Sequence, residues 1–249
     1  MREDLYDDFF AVETRHWWFC ARRLIIESLL RRHLGSAGAS RIADVGCGTG
    51  ANLAMLHRVG QPVGLDGSWN ALKFSHARGE PNLVAGILPT LPCQSGSFDV
   101  VCALDVIEHV TDDDSAVQEL VRICKPGGLL VITVPAYQWL WSEHDVVNEH
   151  KRRYTRSTLA ARLQLPQLEV LQLTYINALL APPLMAYRLV RNVLDRFQKK
   201  PQATADLFLP RPAVNRLLNW VFSLEQHWLK RGNFPFGISV LCTLRKREV

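Results

Sequence analysis

The segment that most restricts the fold of this chain is Asp44-Val45-Gly46-Cys47-Gly48-Thr49-Gly50. It follows a short apolar run and opens a stretch with helical spacing, the setting of a ligand-binding loop between a strand and a helix. Glycine turns sharply and lets a ligand reach the backbone where a Cβ would intervene. Asp66 ends the next apolar run, 22 residues after Asp44. A carboxylate there can accept both hydroxyls of a ribose. The bland alternative is a glycine turn that holds nothing, which the paired acid argues against.

The surrounding texture is an alternation of short apolar runs and helical segments. Strands are expected at 42–45, 63–66, 83–86, 98–105 and 129–135, with helices between them, notably 51–59 and 115–124. The second helix starts behind Asp112-Asp113-Asp114, acids suited to a helix N-terminus, and stops at Lys125-Pro126-Gly127-Gly128. Such alternation means a parallel sheet with right-handed crossovers. Two further strands are expected at 168–175 and 239–246, separated by about sixty residues with helical spacing at 184–197 and 214–229. The first forty residues read as helical, with Leu24, Ile25, Ser28, Leu29 and Arg32 on helical spacing and Gly35 as the stop. At 249 residues and 48% apolar content the chain fits one α/β domain with insertions and excludes a disordered chain.

Gly46, Gly48 and Ala51 satisfy a dinucleotide-binding pattern, but Asp44 two residues before the first glycine repels a pyrophosphate and suits a cationic ligand. Three further segments follow in order: Leu91-Pro92 with Gly96-Ser97-Phe98-Asp99-Val100-Val101, then Asp105-Val106-Ile107-Glu108-His109, then Lys125-Pro126-Gly127-Gly128-Leu129. Together with the glycine loop they resemble the class I S-adenosylmethionine (SAM)-dependent methyltransferases over residues 41–135. The resemblance implies a Rossmann-like α/β fold: a seven-stranded, mostly parallel sheet with an antiparallel last strand, here with a helical insertion between strands 6 and 7. It implies SAM as cofactor and S-adenosylhomocysteine as product. It places Asp44, Gly46, Gly48 and Thr49 around the methionine part, Asp66 on the ribose, and Gly67-Ser68 beside the adenine. Leu104 and Asp105 face the methionine amino group. Ile87 stands where many relatives carry an aspartate for the adenine, leaving the Leu88 backbone and apolar packing to hold the ring.

His16-Trp17-Trp18-Phe19-Cys20-Ala21-Arg22-Arg23 resembles the opening of a bacterial subgroup of these enzymes near the UbiE/UbiG-like branch, as does Pro235-Phe236-Gly237-Ile238-Ser239. In the opening, Trp17 can cover the cofactor and Arg22 grip its carboxylate; the alternative is a helix packing its aromatics on the sheet. After the fifth strand, residues 136–154 carry Trp139, Trp141, His144, Asp145, His150 and Tyr154. This segment starts at the ligand edge of the sheet. His144, His150 and Tyr154 are candidate general bases for an acceptor hydroxyl, each also readable as a hydrogen-bonded structural group. His144, Asp145 and His150 fit no standard zinc spacing, and no metal is expected.

The expected organisation is one methyltransferase domain over 1–249. Within it lie a helical cap at 1–40, the SAM-binding core at 41–135, the substrate loop at 136–154 and the insertion at 176–237. The six cysteines form no Cys-x-x-Cys pair, the N-terminus is acidic, and no membrane span is long enough, so a cytoplasmic protein is expected. The net charge of +5 concentrates in the insertion, where 176–237 hold nine Lys or Arg and three Asp or Glu. An apolar face bordered by cations suits an interfacial helix, so 176–200 is a candidate for peripheral membrane contact, with a helical cap or dimer contact as the alternative. The expected acceptor is a small molecule or amphiphile bearing an oxygen nucleophile, and the protein a monomer or homodimer. No nucleic-acid partner is expected; RNA methylation and a non-catalytic SAM-binding scaffold at the membrane are the competing readings.

Overall fold

The computed structural model describes residues 3, 5–35, 39–195 and 208–248, without the side chains of 191–195. In chain order the elements are α1 (Leu5–Val12), α2 (Trp17–Leu34), β1 (Arg41–Val45), α3 (Leu53–Leu56), β2 (Gln61–Asp66), α4 (Trp69–Ala77), β3 (Leu83–Ala85), β4 (Phe98–Leu104), α5 (Asp113–Ile123), β5 (Cys124–Pro135), α6 (Glu143–Val147), α7 (Arg156–Arg162), β6 (Leu168–Ile176), α8 (Ala181–Asp195), α9 (Pro212–Ser223), α10 (Glu225–Leu229) and β7 (Ser239–Lys246). Short 3-10 turns cover Ile107–His109 and Gln138–Leu140.

The strands form one seven-stranded sheet in the order β3-β2-β1-β4-β5-β7-β6. The first five are parallel, and β7 runs antiparallel between β5 and β6. This is the expected fold. Strand alternation splits the core into two layers. Ile42, Val100, Cys102, Val131 and Leu241 face α2, α3 and α9. Ala43, Val101, Ala103, Leu130, Ile132 and Cys242 face α5 and α7. Each buried Val, Leu or Ile among them contributes roughly 1.5–3 kcal/mol. All six cysteines are unpaired.

Several elements differ from expectation. The helix expected at 51–59 keeps only α3, because three glycines and Gly60 around it leave turns on both sides. The Lys125-Pro126-Gly127-Gly128 stop lies inside β5 as its irregular start, with Gly127 at φ +75 and a register shift opposite Phe98 and Val100. In α2 the buried face is Ala21, Arg22, Ile25, Ile26, Leu29 and Leu30, while Leu24 is exposed. Gly35 closes α2 at φ +65 as expected. The helix expected at 214–229 breaks at Leu224 into α9 and α10.

The insertion does not stand apart from the N-terminal cap. Asn215 of α9 accepts the Trp17 N–H at 2.9 Å and donates to the Arg15 carbonyl at 2.8 Å, and Phe222 packs edge-on against Trp17. Glu225, fully buried, accepts the backbone N–H groups of Asn177, Ala178 and Leu179 at 2.7–2.9 Å. That carboxylate fastens the return of the insertion to the end of β6. Among the described residues no helix is long and apolar enough to cross a membrane.

Candidate active site

The strand order reverses between β1 and β4, and the ends of these strands define the cleft where ligands bind in such sheets. The glycine loop leaves β1 here. The N–H groups of Gly46 and Cys47 both reach the Leu65 carbonyl, at 2.7 and 3.0 Å, which ties the loop to β2. Gly46 has φ +69 and no room for a side chain, since a Cβ would lie 2.6 Å from a Val106 methyl. Gly48, at φ +55, faces open space. The backbone is thus bare on the side where a ligand would lie. Asp66 bridges the loop and the next turn: one oxygen accepts the Gly48 N–H at 2.9 Å, the other the Ser68 N–H at 2.8 Å.

Asp44 lies behind this cradle. It is 1% exposed, and neither carboxyl oxygen has a hydrogen-bond partner. Burial pushes its pKa up to about 7. A buried carboxyl with no donor is costly when ionised, so the site is built for a group that brings positive charge. The sulfonium and ammonium of SAM have that character, and the open Gly48 face and Asp66 suit a nucleoside beside them.

At the end of β4, Asp105 takes φ +60, pairs with Arg22, and accepts the Thr133 hydroxyl at 3.1 Å. The Arg22 guanidinium also stacks over Trp18, 4.4 Å from the ring centre. Arg22 therefore reaches the cleft, and the acid expected at the methionine end is the group it grips. Trp17 departs from the lid expectation. Its ring is 8% exposed and belongs to the core shared with Phe222, because positions 17, 21 and 25 fall on the helix face turned to the sheet. Leu104 and Leu88 are buried. Ile87 is 71% exposed and covers Gly67, whose Cβ would lie 3.3 Å away.

A clasp that the sequence reading missed closes the loop from outside. Glu13 accepts the Thr49 hydroxyl and an Arg78 N–H, the latter at 2.9 Å. Arg78 also binds the carbonyls of Thr49 and Phe10, at 2.8 and 2.9 Å. Thr49 thus spends its hydroxyl on Glu13. Glu3 accepts from Ser68 and Asn70, so the N-terminal residues lie along the cofactor edge. No sequence signal marks Glu13, because its partners lie 36 and 65 residues away.

Beyond Asp105 lie Ile107–His109 and the segment after β5, where the sequence places the candidate bases. Asp145, fully buried, takes two bonds from Arg153 at 2.8 and 2.9 Å, one from His150 Nδ1 at 2.8 Å and one from the Ser142 N–H at 2.8 Å. Against the burial that would raise it, these donors hold its carboxyl well below the usual range. Because Asp145 only accepts, His150 presents Nε2 on its other edge. The His150 ring lies 4.7 Å from that of His109 and 6.1 Å from that of His144. Glu108 is fully buried and its two oxygens lack partners; burial and the Asp105 charge push its carboxyl far up. The structure therefore gathers His144 and His150 with Glu108 and His109. Tyr154 is placed elsewhere: its hydroxyl donates to Asp113 at 2.8 Å, and burial raises its pKa strongly. That hydroxyl is anchored on the first residue of α5, which corrects its reading as a base.

Three buried acids carry a pH consequence. Burial pushes Glu13, Asp44 and Glu225 each up to about 7. In the unfolded chain they titrate near 4, so between about pH 4 and 7 the folded ligand-free protein holds protons that the unfolded chain has lost. Their stabilising contribution is complete below pH 4 and disappears as pH rises through 7. Denaturant unfolding of the ligand-free protein is expected to show lower stability at pH 8 than at pH 5.5, on the order of a few kcal/mol. Equal or higher stability at pH 8 would contradict the burial of these charges.

Comparison with known proteins agrees with the geometry. A family model described as a methyltransferase domain matches residues 43–132. A demethylmenaquinone methyltransferase of Renibacterium salmoninarum is 31% identical over 52% of this chain and 52% of its own length. A ubiquinone biosynthesis O-methyltransferase of Bordetella avium is 32% identical over 38% of this chain and 42% of its own. The chain spans about half or less of the length of the curated relatives it matches. A SAM-dependent methyltransferase of Thermotoga maritima shares the fold with a TM-score of 0.60 over 98% of both chains at 15% identity. One from Archaeoglobus fulgidus does so with 0.57 over 90% of this chain and 94% of that one, at 18% identity. With the glycine cradle, the buried Asp44 and the Asp66 bridge in that sheet, the match shows a methyltransferase domain over residues 43–132 of this chain.

Proposed function

We propose that the chain transfers the methyl group of SAM to an oxygen of a small-molecule or lipid-linked acceptor. The observation that carries the cofactor half is Asp44, a buried carboxyl without a donor behind a bare glycine backbone. SAM, when bound, supplies a methyl group already activated by its sulfonium. The chain's own task is to hold the acceptor oxygen in line, exclude water and dispose of the proton. The C–O bond forms from an oxygen lone pair, the C–S pair returns to sulfur, and the hydroxyl proton leaves to solvent on the side of the Glu108, His109 and His150 cluster beside Asp105.

The acceptor class is supported by surface chemistry. Val214, Leu217, Trp220, Leu224 and Trp228 are exposed at three- or four-residue spacing along α9 and α10, and Tyr187 and Val190 are exposed on α8. Arg211, Arg216, Lys230 and Arg231 flank the first set. Such a face suits an anionic lipid surface, the source of an amphiphilic acceptor. The relatives named as a demethylmenaquinone methyltransferase and a ubiquinone biosynthesis O-methyltransferase favour the same class. Arg196, Lys199 and Lys200 of the expected contact lie outside the described residues, and the side chain of Arg191 is not described.

The test is methyl incorporation from labelled SAM into two arms, cell lipids in anionic vesicles and the soluble small-molecule fraction. We expect an O-methylated product in the lipid arm, reduced at least tenfold by a Leu217→Ser, Trp220→Ser double variant that binds SAM normally. Product in nucleic acid, or none in either arm, would refute the reading.

A further inference from the structure

The cluster after β4 has an unusual chemistry: a carboxyl and two imidazoles converge there, with no hydrogen-bond partner on Glu108 or on His109 Nδ1. One ligand atom each from Glu108, His109 and His150 lies within 4.8 Å of the others. Glu108 is completely buried, with no partner on either oxygen. Buried carboxylates are normally hydrogen-bonded or paired. The guanidinium groups near enough to help are engaged elsewhere, Arg22 with Asp105 and Arg153 with Asp145. His109 bonds the Asn148 backbone, and its Nδ1 is buried without a partner. His150 uses Nδ1 on Asp145, which leaves Nε2 as the inward atom. The Glu108 carboxyl and His109 Nδ1 thus lie beside the Nε2 edge of His150, and neither has a hydrogen-bond partner.

We propose that Glu108, His109 and His150 bind a divalent transition-metal ion, with Asp145 orienting His150. A carboxylate behind a ligating histidine fixes its tautomer and strengthens it as a donor. Two histidines and one carboxylate form a ligand set used by zinc and by iron or manganese, and three protein ligands leave a position open. The sequence spacing conceals this site. Glu108 and His109 are adjacent on a 3-10 turn after β4, and His150 arrives 41 residues later from beyond β5. Asp145, which a reading by spacing groups with the histidines, is saturated by Arg153 and supports from behind.

Resting on the function proposed above, the open position takes the acceptor oxygen. An ion there lowers the pKa of a bound hydroxyl and makes it nucleophilic near neutral pH, the proton leaving to solvent. The same Nε2 lone pair cannot both hold an ion and accept a proton, so His150 acts as a ligand and not as a base.

The experiment uses the full chain stripped with a chelator and titrated with Zn2+ by calorimetry and with Co2+ by visible absorption. We expect one ion per chain with d–d bands of a low-coordinate Co2+ site. Glu108→Gln and His150→Gln are expected to weaken binding at least tenfold, while SAM affinity, measured in parallel, changes less than threefold. No ion binding, or equal binding in folded Glu108→Gln protein, overturns the site. Unchanged methyl transfer in the stripped protein overturns the role assigned to the ion. Failure of the function proposed above reads differently: SAM does not bind, or no acceptor is methylated even with the ion bound, while the ion titration still reports on the three ligands.

Discussion

Asp66→Ala is expected to weaken SAM binding by roughly a hundredfold or more. Asp66 accepts two backbone N–H groups, from Gly48 and Ser68, and so sets the shape of the glycine loop as well as presenting charge to the cleft. A hydrogen bond to a charged group contributes about 1.5–3 kcal/mol, and the substitution removes two that organise the loop. Any bond to the ribose is lost in addition. Asp66→Asn keeps one acceptor oxygen and should fall between the two. Calorimetric titration with SAM or S-adenosylhomocysteine measures the effect, with circular dichroism confirming the fold. An affinity within threefold of wild type would place the cofactor elsewhere.

Glu225→Ala should be the most destabilising single change far from the cleft, at about 3–5 kcal/mol. The side chain is completely buried, and three consecutive backbone N–H groups depend on it. Alanine leaves all three without acceptors at about 1–3 kcal/mol each, partly relieved by entering water. For a chain of this size the melting temperature should fall by about 10 °C. Glu225→Gln retains one acceptor oxygen and should recover about half of the loss. Trp220→Ser, at an exposed position of α9, should leave stability nearly unchanged. If Glu225→Ala melts within 2–4 °C of wild type, roughly 1 kcal/mol, the insertion is not fastened through this carboxylate.

These two residues differ in how visible they were. Asp66 ends an apolar run behind a glycine loop, a local pattern whose spacing follows from strand and loop geometry. Glu225 is one acid among helical residues, and nothing nearby marks it as the cap of a turn 48 residues earlier. The same contrast holds within the site. Asp44, Gly46, Gly48 and Asp105 lie at strand ends, where the parallel sheet brings consecutive βα units to one edge. Glu108 belongs to a legible motif, yet its lack of a donor emerges only when Arg22 and Arg153 are seen committed elsewhere. Tyr154 and Trp17 carry residue types that suggest chemistry, but their partners, Asp113 and Phe222, are distant in sequence.

By itself the sequence determined the seven-strand α/β alternation, the glycine loop with its two acids, and the basic, apolar character of the insertion. All three depend on neighbours a few residues apart. The tertiary structure decided which side chains share a hydrogen bond or a charge. It put the insertion and the N-terminal cap into one layer through Trp17, Asn215 and Phe222, bound Asp145 to Arg153 and His150, and left Asp44 and Glu108 buried without donors. The reason is physical: periodicity reports local geometry, whereas the protonation and ligand affinity of a buried acid depend on everything packed around it.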